Sequence, residues 1–558
     1  MKRFLTLFTM ILLLGVSAQA QKVRTISGNI TTNTTLHNDS MYMLDGYVYV
    51  KNNATLTIEE GTIIKGVSNT KATLIITRNG KIHAQGTKEM PIVFTSDKPI
   101  GERAPSDWGG IVIMGKALVN GSDCSTCPGK DVAAAEAGTQ RAIEGDLDNP
   151  SGDGLYGGND DNHNSGVLSY VRIEFAGTVI SPGNEINGLT MGGVGRATKI
   201  DHIQTSFVND DGFEWFGGNV DAKYLISFRN IDDDYDTDFG YTGRVQYGIA
   251  FRDSMLDDKG SGPTTNGFES DNDGAGTTAT PNTMPVFSNI TVVGPLARGK
   301  ALDYTNSFQN GIRIRRNSGL SLFNSVVMGF PTGIFVDGDR SVNKFLTDSL
   351  ILRNNVVSGW TTRAINAPAA SLTAVEAKFG LDGNRTIQSM NNILTDPFNY
   401  TNPDFTVVAG GSAASGASFT TAKISDTFFT RTTHIGAVGT AAQDWTKGWA
   451  NFDPQTTDYS KPMVNSIRKT PGNIASVNVF PNPAANILNV QFTVKNNDVI
   501  STSIYSVDGK CIQTQAARTM PAGNHTLNLD VNNLTNGLYI LKISTTKGQE
   551  NIRFNVVK

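Results

Sequence analysis

The chain's 558 residues are too many for one ordinary hydrophobic core and enough for two or three domains. Aromatic residues make up 8%, charged residues 18%, and glycines number 58, a profile that suits a turn-rich all-β protein and not a helical one. A net charge of −4 argues against nucleic-acid binding, and three cysteines exclude a scaffold built on disulfides.

The first twenty residues have the three parts of a secretory signal. Lys2 and Arg3 are followed by an apolar run over residues 4–16 and then by Ala18-Gln19-Ala20. The run is shorter than the ~20 residues that span a bilayer, so cleavage after Ala20 is expected. No cysteine follows the site, which argues against a lipoprotein, and no later segment is apolar enough to span.

From about residue 26 to residue 357 short apolar strands alternate with Gly, Asn and Asp turns. Examples are residues 56–58, 62–65, 74–77, 91–94, 110–114, 170–175, 224–228, 248–251 and 311–314. The pattern repeats: Asp210 to Asp232 is 22 residues, Asp232 to Asp253 is 21, and residues 288–293, 322–327 and 350–357 look like copies of one strand. A weak repeat of that length, with about three strands per copy, predicts a right-handed parallel β-helix. Sandwich hairpins would show two-residue Asn-Gly or Asp-Gly turns between paired strands, whereas here the turns are longer and the spacing follows a coil. Two polar excursions, residues 121–166 and 271–285, leave the stack as long loops.

Past residue 357 the repeat fades. A short helix is expected within residues 364–379, and Trp445, Trp449 and Phe452 are expected to cap the open end of the coil. The β-helix with this cap is assigned to residues 21–460, and a linker containing Pro462 and Pro471 to residues 461–475. Residues 476–558 read as a small antiparallel β-sandwich, with alternating strands and turn pairs Asp508-Gly509 and Asn536-Gly537.

That last segment resembles the type A C-terminal sorting domain of the type IX secretion system. The resemblance rests on Pro481-Asn482-Pro483, Asp508-Gly509-Lys510, Gly537-Leu538-Tyr539 and the basic last residue Lys558, in that order. It implies delivery by the type IX machinery across an outer membrane, removal of the tail, and a secreted or surface-anchored product. The body is similar to a group of secreted β-helix proteins with the same tail, through residues 60–66, 91–96, 107–115 and 444–449. With no membrane span, a transporter reading has no physical basis.

The densest chemical signal is acidic: Asp210, Asp211 and Glu214, then Asp232 to Asp238, Asp253, Asp257 and Asp258, and Glu269, Asp271 and Asp273. Residues one coil apart stack on one edge, where carboxylates repel and a cation would relieve them. Asp234, Asp236 and Asp238 with Gly240 have the alternating spacing of many calcium loops, without the Glu of an EF-hand. The predicted Ca²⁺ ligands are Asp232, Asp234, Asp236, Asp238, Asp271 and Asp273; the alternative is a solvated acidic edge. Asp210, Asp211 and Glu214 are candidate catalytic carboxyls. Arg229 and Arg252 are candidate bases, or simply partners of the carboxylates. Trp215, Tyr235 and Tyr241 offer ring faces for a sugar if exposed, and fill coil corners if buried. Cys124 and Cys127 are expected to form a local disulfide. The six histidines are scattered, with no Ser/His/Asp or H-E-x-x-H arrangement.

The sequence therefore points first to a non-catalytic surface binding or adhesion protein, with glycan as ligand and calcium bracing the acidic edge. The alternatives are a calcium-dependent polysaccharide lyase or hydrolase, and a structural surface component.

Overall fold

The computed structural model describes residues 22–121, 139–181, 184–258, 265–295, 308–460, 473–506, 510–546 and 549–558. The signal segment and the pair Cys124 and Cys127 lie outside them. The chain divides into two compact units, Met1–Met463 and Val464–Lys558.

Among the described residues of the first unit, twenty-six strands pair in parallel. Each coil's inward residues stack on those of the next, and this stacking makes one continuous core of Ile, Leu, Val and aromatic side chains. The strands Gly110–Met114, Leu189–Gly192, Phe213–Phe216, Tyr235–Asp238, Phe268–Ser270, Asn310–Ile314, Thr332–Val336 and Arg363–Asn366 succeed one another up one face. Alternation along each strand sends Phe213 and Trp215, or Tyr235 and Thr237, inward, and Glu214 or Asp236 outward.

The other two faces are joined by long bent strands: Gly166–Glu174, Lys199–Ser206, Ala222–Phe228, Arg244–Phe251 and Val286–Val293. Each bends at one residue that drops out of the pairing and takes a positive φ: Tyr170, His202, Tyr224, Tyr247 and Asn289. A β-branched residue could not sit there without strain. The rings stack up the corner, Tyr170 on His202 at 4.1 Å, His202 on Tyr224 at 4.3 Å and Tyr224 on Tyr247 at 5.0 Å.

Trp445, Trp449 and Phe452 do not close the coil end. The segment from about residue 388 to residue 460 runs back along the flank of the helix as a strap. Trp445 and Trp449 pack edge-on against the corner rings, and Phe452 against Phe228. A second core of Phe175, Phe207, Phe228, Phe251, Phe405, Ile435, Val438 and Trp449 forms beneath the strap. Carboxamides clamp it: Gln204 bonds the N–H and C=O of Asn451, Gln246 those of Thr430, and Asn324 those of Ser418, at 2.7–3.1 Å. At the last coils, the helices Asp339–Leu346 and Leu372–Leu381 add Val342, Phe345, Val375 and Phe379 to the main core.

The second unit is an antiparallel sandwich of a three-stranded and a four-stranded sheet around Leu488, Val490, Ile504, Leu541 and Phe554. Its first strand, Ile474–Phe480, begins inside the stretch read as linker.

Candidate functional site

Outward residues on the first face form a single column. Thr190 pairs with Glu214, Glu214 with Asp236, Asp236 with Glu269, and Glu269 with Arg313. Three carboxylates therefore occupy successive rungs, which parallel strands place about 4.8 Å apart. The turns entering these strands add Asp210 and Asp211 in one coil and Asp232 and Asp233 in the next.

The turn carboxylates are fixed by a ladder of side chain to backbone bonds. The Asn187 side-chain oxygen accepts the Asp211 N–H at 3.1 Å, Asp211 accepts the Asp233 N–H at 2.8 Å, and Asp233 accepts the Asn266 N–H at 2.5 Å. Asn310 donates to Asn266 at 2.8 Å. Asn187 also donates to Glu214. From inside the core, Arg252 holds the carbonyls of Ile231 at 3.0 Å and Asp232 at 2.5 Å, which sets the second acidic turn.

Three sets of carboxylates each bring ligand oxygens within 4.8 Å of one another: Asp210, Asp211 and Asp232; Asp211, Glu214 and Asp236; Asp233, Asp236 and Glu269. Shared members link them into one continuous edge. An oxygen–oxygen spacing up to 4.8 Å matches opposite ligands of Ca²⁺, whose bonds are about 2.3–2.6 Å. One oxygen of Asp232 and one of Asp236 are buried without a hydrogen-bond partner. All-oxygen donors of this density suit a hard divalent cation such as Ca²⁺.

The electrostatics carry the same signal. Burial, then the charges of neighbouring carboxylates, pushes Asp210, Asp211, Glu214, Asp233 and Asp236 well above the usual carboxylate range. Burial raises Asp232 to about 6, with Asp258 adding to it and Arg252 opposing. Burial raises Glu269 to about 7 against the pull of Arg315, and Asp238 to about 8 with the help of Asp271. Two unit charges 4 Å apart repel by roughly 4 kcal/mol at an effective dielectric near 20, so without a cation several of these groups keep their protons.

Several of the residues expected from sequence to form the site lie elsewhere in the fold. Trp215, Tyr235 and Tyr241 are fully buried in the coil core, where no ring face is open to a sugar. The Tyr235 hydroxyl donates to the Ile249 carbonyl at 2.9 Å and that of Tyr241 to Val220 at 2.8 Å, which makes their burial tolerable. Asp234 turns away from the acidic edge and is buried between Ser227, at 2.5 Å, and Arg252, at 3.5 Å. The alternating Asp234, Asp236 and Asp238 are thus not one calcium loop: Asp234 is tied inward from the turn, while Asp236 and Asp238 lie on the outward side of the strand. Asp271 is paired with Arg315 at 2.9 Å and Arg316 at 2.8 Å. Asp273 caps its own loop by accepting the N–H groups of Ala275 and Thr277 at 3.0 Å. Arg252 is wholly buried, and Arg229 bonds Asp253 at 2.8 Å beside Phe207 and Tyr400, so neither is a free base.

Asp233 and Glu269 belong to the carboxylate sets although the sequence analysis did not choose them as ligands. Coil length concealed Glu269: it follows Asp236 in register 33 residues on, whereas Asp236 follows Glu214 after 22. Asp253, at the expected spacing, lies beyond the strand of another face.

Residues 28–450 match the model of the pectate-lyase-like beta helix domain. The chain belongs to this β-helix family. Residues 478–557 of this family member match the secretion system C-terminal sorting domain. It is an exported β-helix protein carrying a type IX sorting tail, secreted or held at the cell surface. Among the described residues no helix is long and apolar enough to cross a membrane.

No curated protein sequence matches the chain. Among solved structures it is similar to full-length tailspike protein 2 from Escherichia coli O157:H7 bacteriophage CAB120, at 10% identity and a TM-score of 0.18, over 92% of this chain and 64% of that one. The Dettilon tailspike protein is 10% identical with a TM-score of 0.20, over 59% and 61% of the two chains. The enzymatically active domain of bacteriophage CBA120 tailspike protein 4 is 10% identical with a TM-score of 0.19, over 96% and 61%. The chain spans less than two thirds of the length of each.

Proposed function

We propose that this protein is an extracellular carbohydrate-active enzyme that holds a calcium ion on its acidic edge and cleaves polysaccharide laid along that face. The observation that carries the reading is the set of three linked carboxylate groups, each within 4.8 Å. The family description, pectate-lyase-like, supplies the substrate class.

Asp233, Asp236 and Glu269, with Asp232 beside them, would hold the cation, and Arg315 braces Glu269 from behind. Bound there, calcium neutralises the edge and offers a positive charge to an acidic sugar. Asp210, Asp211 and Glu214, at the other end, carry the acid–base work. Carboxyls forced close together and buried hold protons well above the usual carboxylate range and can share them. One can then donate to a glycosidic oxygen while a neighbour stays ionised. The arginines beside the edge do not suit the base of an elimination: Arg315 is locked between Glu269 and Asp271 and held in its charged form. This favours hydrolysis over lysis.

The test is calcium titration of the full chain by calorimetry and melting, followed by a panel of acidic and neutral polysaccharides with calcium. Calcium should bind and raise the melting temperature. Asp236→Asn should weaken binding roughly tenfold or more, and Glu214→Gln should abolish release of new reducing ends. Polysaccharide binding without cleavage would replace the enzyme by an adhesin. The absence of calcium heat, melting shift and cleavage together would sink the proposal.

A further inference from the structure

A second concave site lies away from the acidic face, between the tyrosine corner and the strap. It is a cleft of about 410 Å³ lined by Tyr224, Tyr247, Arg431, His434, Gln443 and Trp445, among others. That volume is at the small end of ligand pockets and fits about one sugar residue.

Its walls are held rigidly. Tyr224 stacks on Tyr247 at 5.0 Å and meets Trp445 edge-on at 5.3 Å. The Trp445 indole N–H donates to the Ala437 carbonyl at 2.9 Å. Gln246 bonds both polar groups of the Thr430 peptide, each at 2.8 Å, so the strap enters the cleft in one fixed position. Tyr224 and Trp445 are partly exposed, so their rings border the opening.

The polar lining is unbalanced in charge. Arg431 is exposed and makes no ion pair among the described residues, and no carboxylate lines the cleft. His434 is buried, which holds its imidazole below the usual histidine range and therefore neutral, and its Nε2 has no hydrogen-bond partner. An unpaired buried nitrogen costs stability until some hydroxyl or water reaches it. Partly exposed aromatic rings, hydroxyl and amide groups and one unopposed guanidinium are the chemistry that recognises an acidic sugar.

We propose that this cleft binds one uronate residue of an anionic polysaccharide, as a holding site separate from the acidic edge. Arg431 meets the carboxylate, while Trp445 and the edge of Tyr224, whose two faces are covered by His202 and Tyr247, border the sugar ring. The site does not depend on the enzymatic reading of the acidic face.

The full chain is titrated by calorimetry with hexagalacturonate and, as the neutral counterpart, cellohexaose, in chelator so that the acidic edge carries no calcium. Hexagalacturonate should bind at least roughly tenfold tighter than cellohexaose. Arg431→Ala should remove that preference and His434→Gln should weaken binding severalfold, each with an unchanged melting temperature. Glu214→Gln should leave this binding intact even where it abolishes cleavage. If His434→Gln lowers the melting temperature, Arg431→Ala, at an exposed residue with no ion pair, decides alone. No binding of either probe at millimolar concentration, or binding that Arg431→Ala leaves unchanged, overturns the proposal.

Discussion

At the scale of single residues, the acidic edge is a set of ionisable groups that folding pushes together. The unfolded chain releases these protons near ordinary carboxylate values, about 4. In the folded chain Asp232 holds its proton to about 6, Glu269 to about 7 and Asp238 to about 8, because burial and neighbouring charges penalise the ionised form. Between those limits the folded state binds more protons than the unfolded one. Their contribution to stability is therefore fully present below pH 4 and is lost as pH rises through the folded values. In chelator the melting temperature is expected to fall from about pH 5 to pH 8, and saturating calcium should flatten the slope by replacing protons with a cation. A flat profile in chelator would mean that these carboxyls ionise normally and that the edge is open to water. The acidic residues themselves were plain in the sequence. Which of them converge was not, because Asp234 and Asp236 look equivalent in a string, yet Asp234 sits in the turn before the strand and is held inward by Ser227 and Arg252, while Asp236 faces outward from the strand.

At the scale of elements, strands and their inward and outward alternation were legible from β-branched runs bounded by turn residues. The corners were not. Tyr170, His202, Tyr224 and Tyr247 look like ordinary strand formers, yet each sits at positive φ where a strand changes face. The strap reads in sequence as an end cap because aromatic density shows that something is covered without showing what. Trp445 and Trp449 cover a flank, and the clamps from Gln204, Gln246 and Asn324 give the strap peptides the partners a further strand would have given. Gln246→Ala should leave the Thr430 N–H and C=O without those partners, remove the bond to the Asn289 side chain as well, and cost about 2–3 kcal/mol. Denaturant midpoints would measure it, and hydrogen exchange should rise first around residues 428–434. If the loss is below about 0.5 kcal/mol, packing of the second core holds the strap and the clamps only set its register.

At the scale of the whole molecule, the β-helix was readable because a solenoid repeats its own solution coil after coil. The repeat is clearest where successive rungs are close in sequence, as from Phe213 to Tyr235, and fades where they are further apart, as from Tyr235 to Phe268. The sorting tail was readable for a different reason: it has its own strands, its own core and its own spaced motifs. Its apolar interior, from Leu488 through Leu541 to Phe554, lies within residues 474–556, so a folded surface is the expected form of the address. This leads to a prediction with two arms. Removing residues 478–558 should leave a folded β-helix inside the outer membrane, found by cell fractionation with its calcium-dependent melting unchanged. Replacing Leu541 by Asp in the intact chain should give the same retention. A buried charge without a partner breaks the tail's core while every surface residue stays in place. If the Leu541→Asp chain is still exported, the secretion machinery reads a sequence and not a fold. If the truncated chain is exported, the address lies in the β-helix itself, and the tail serves some other end.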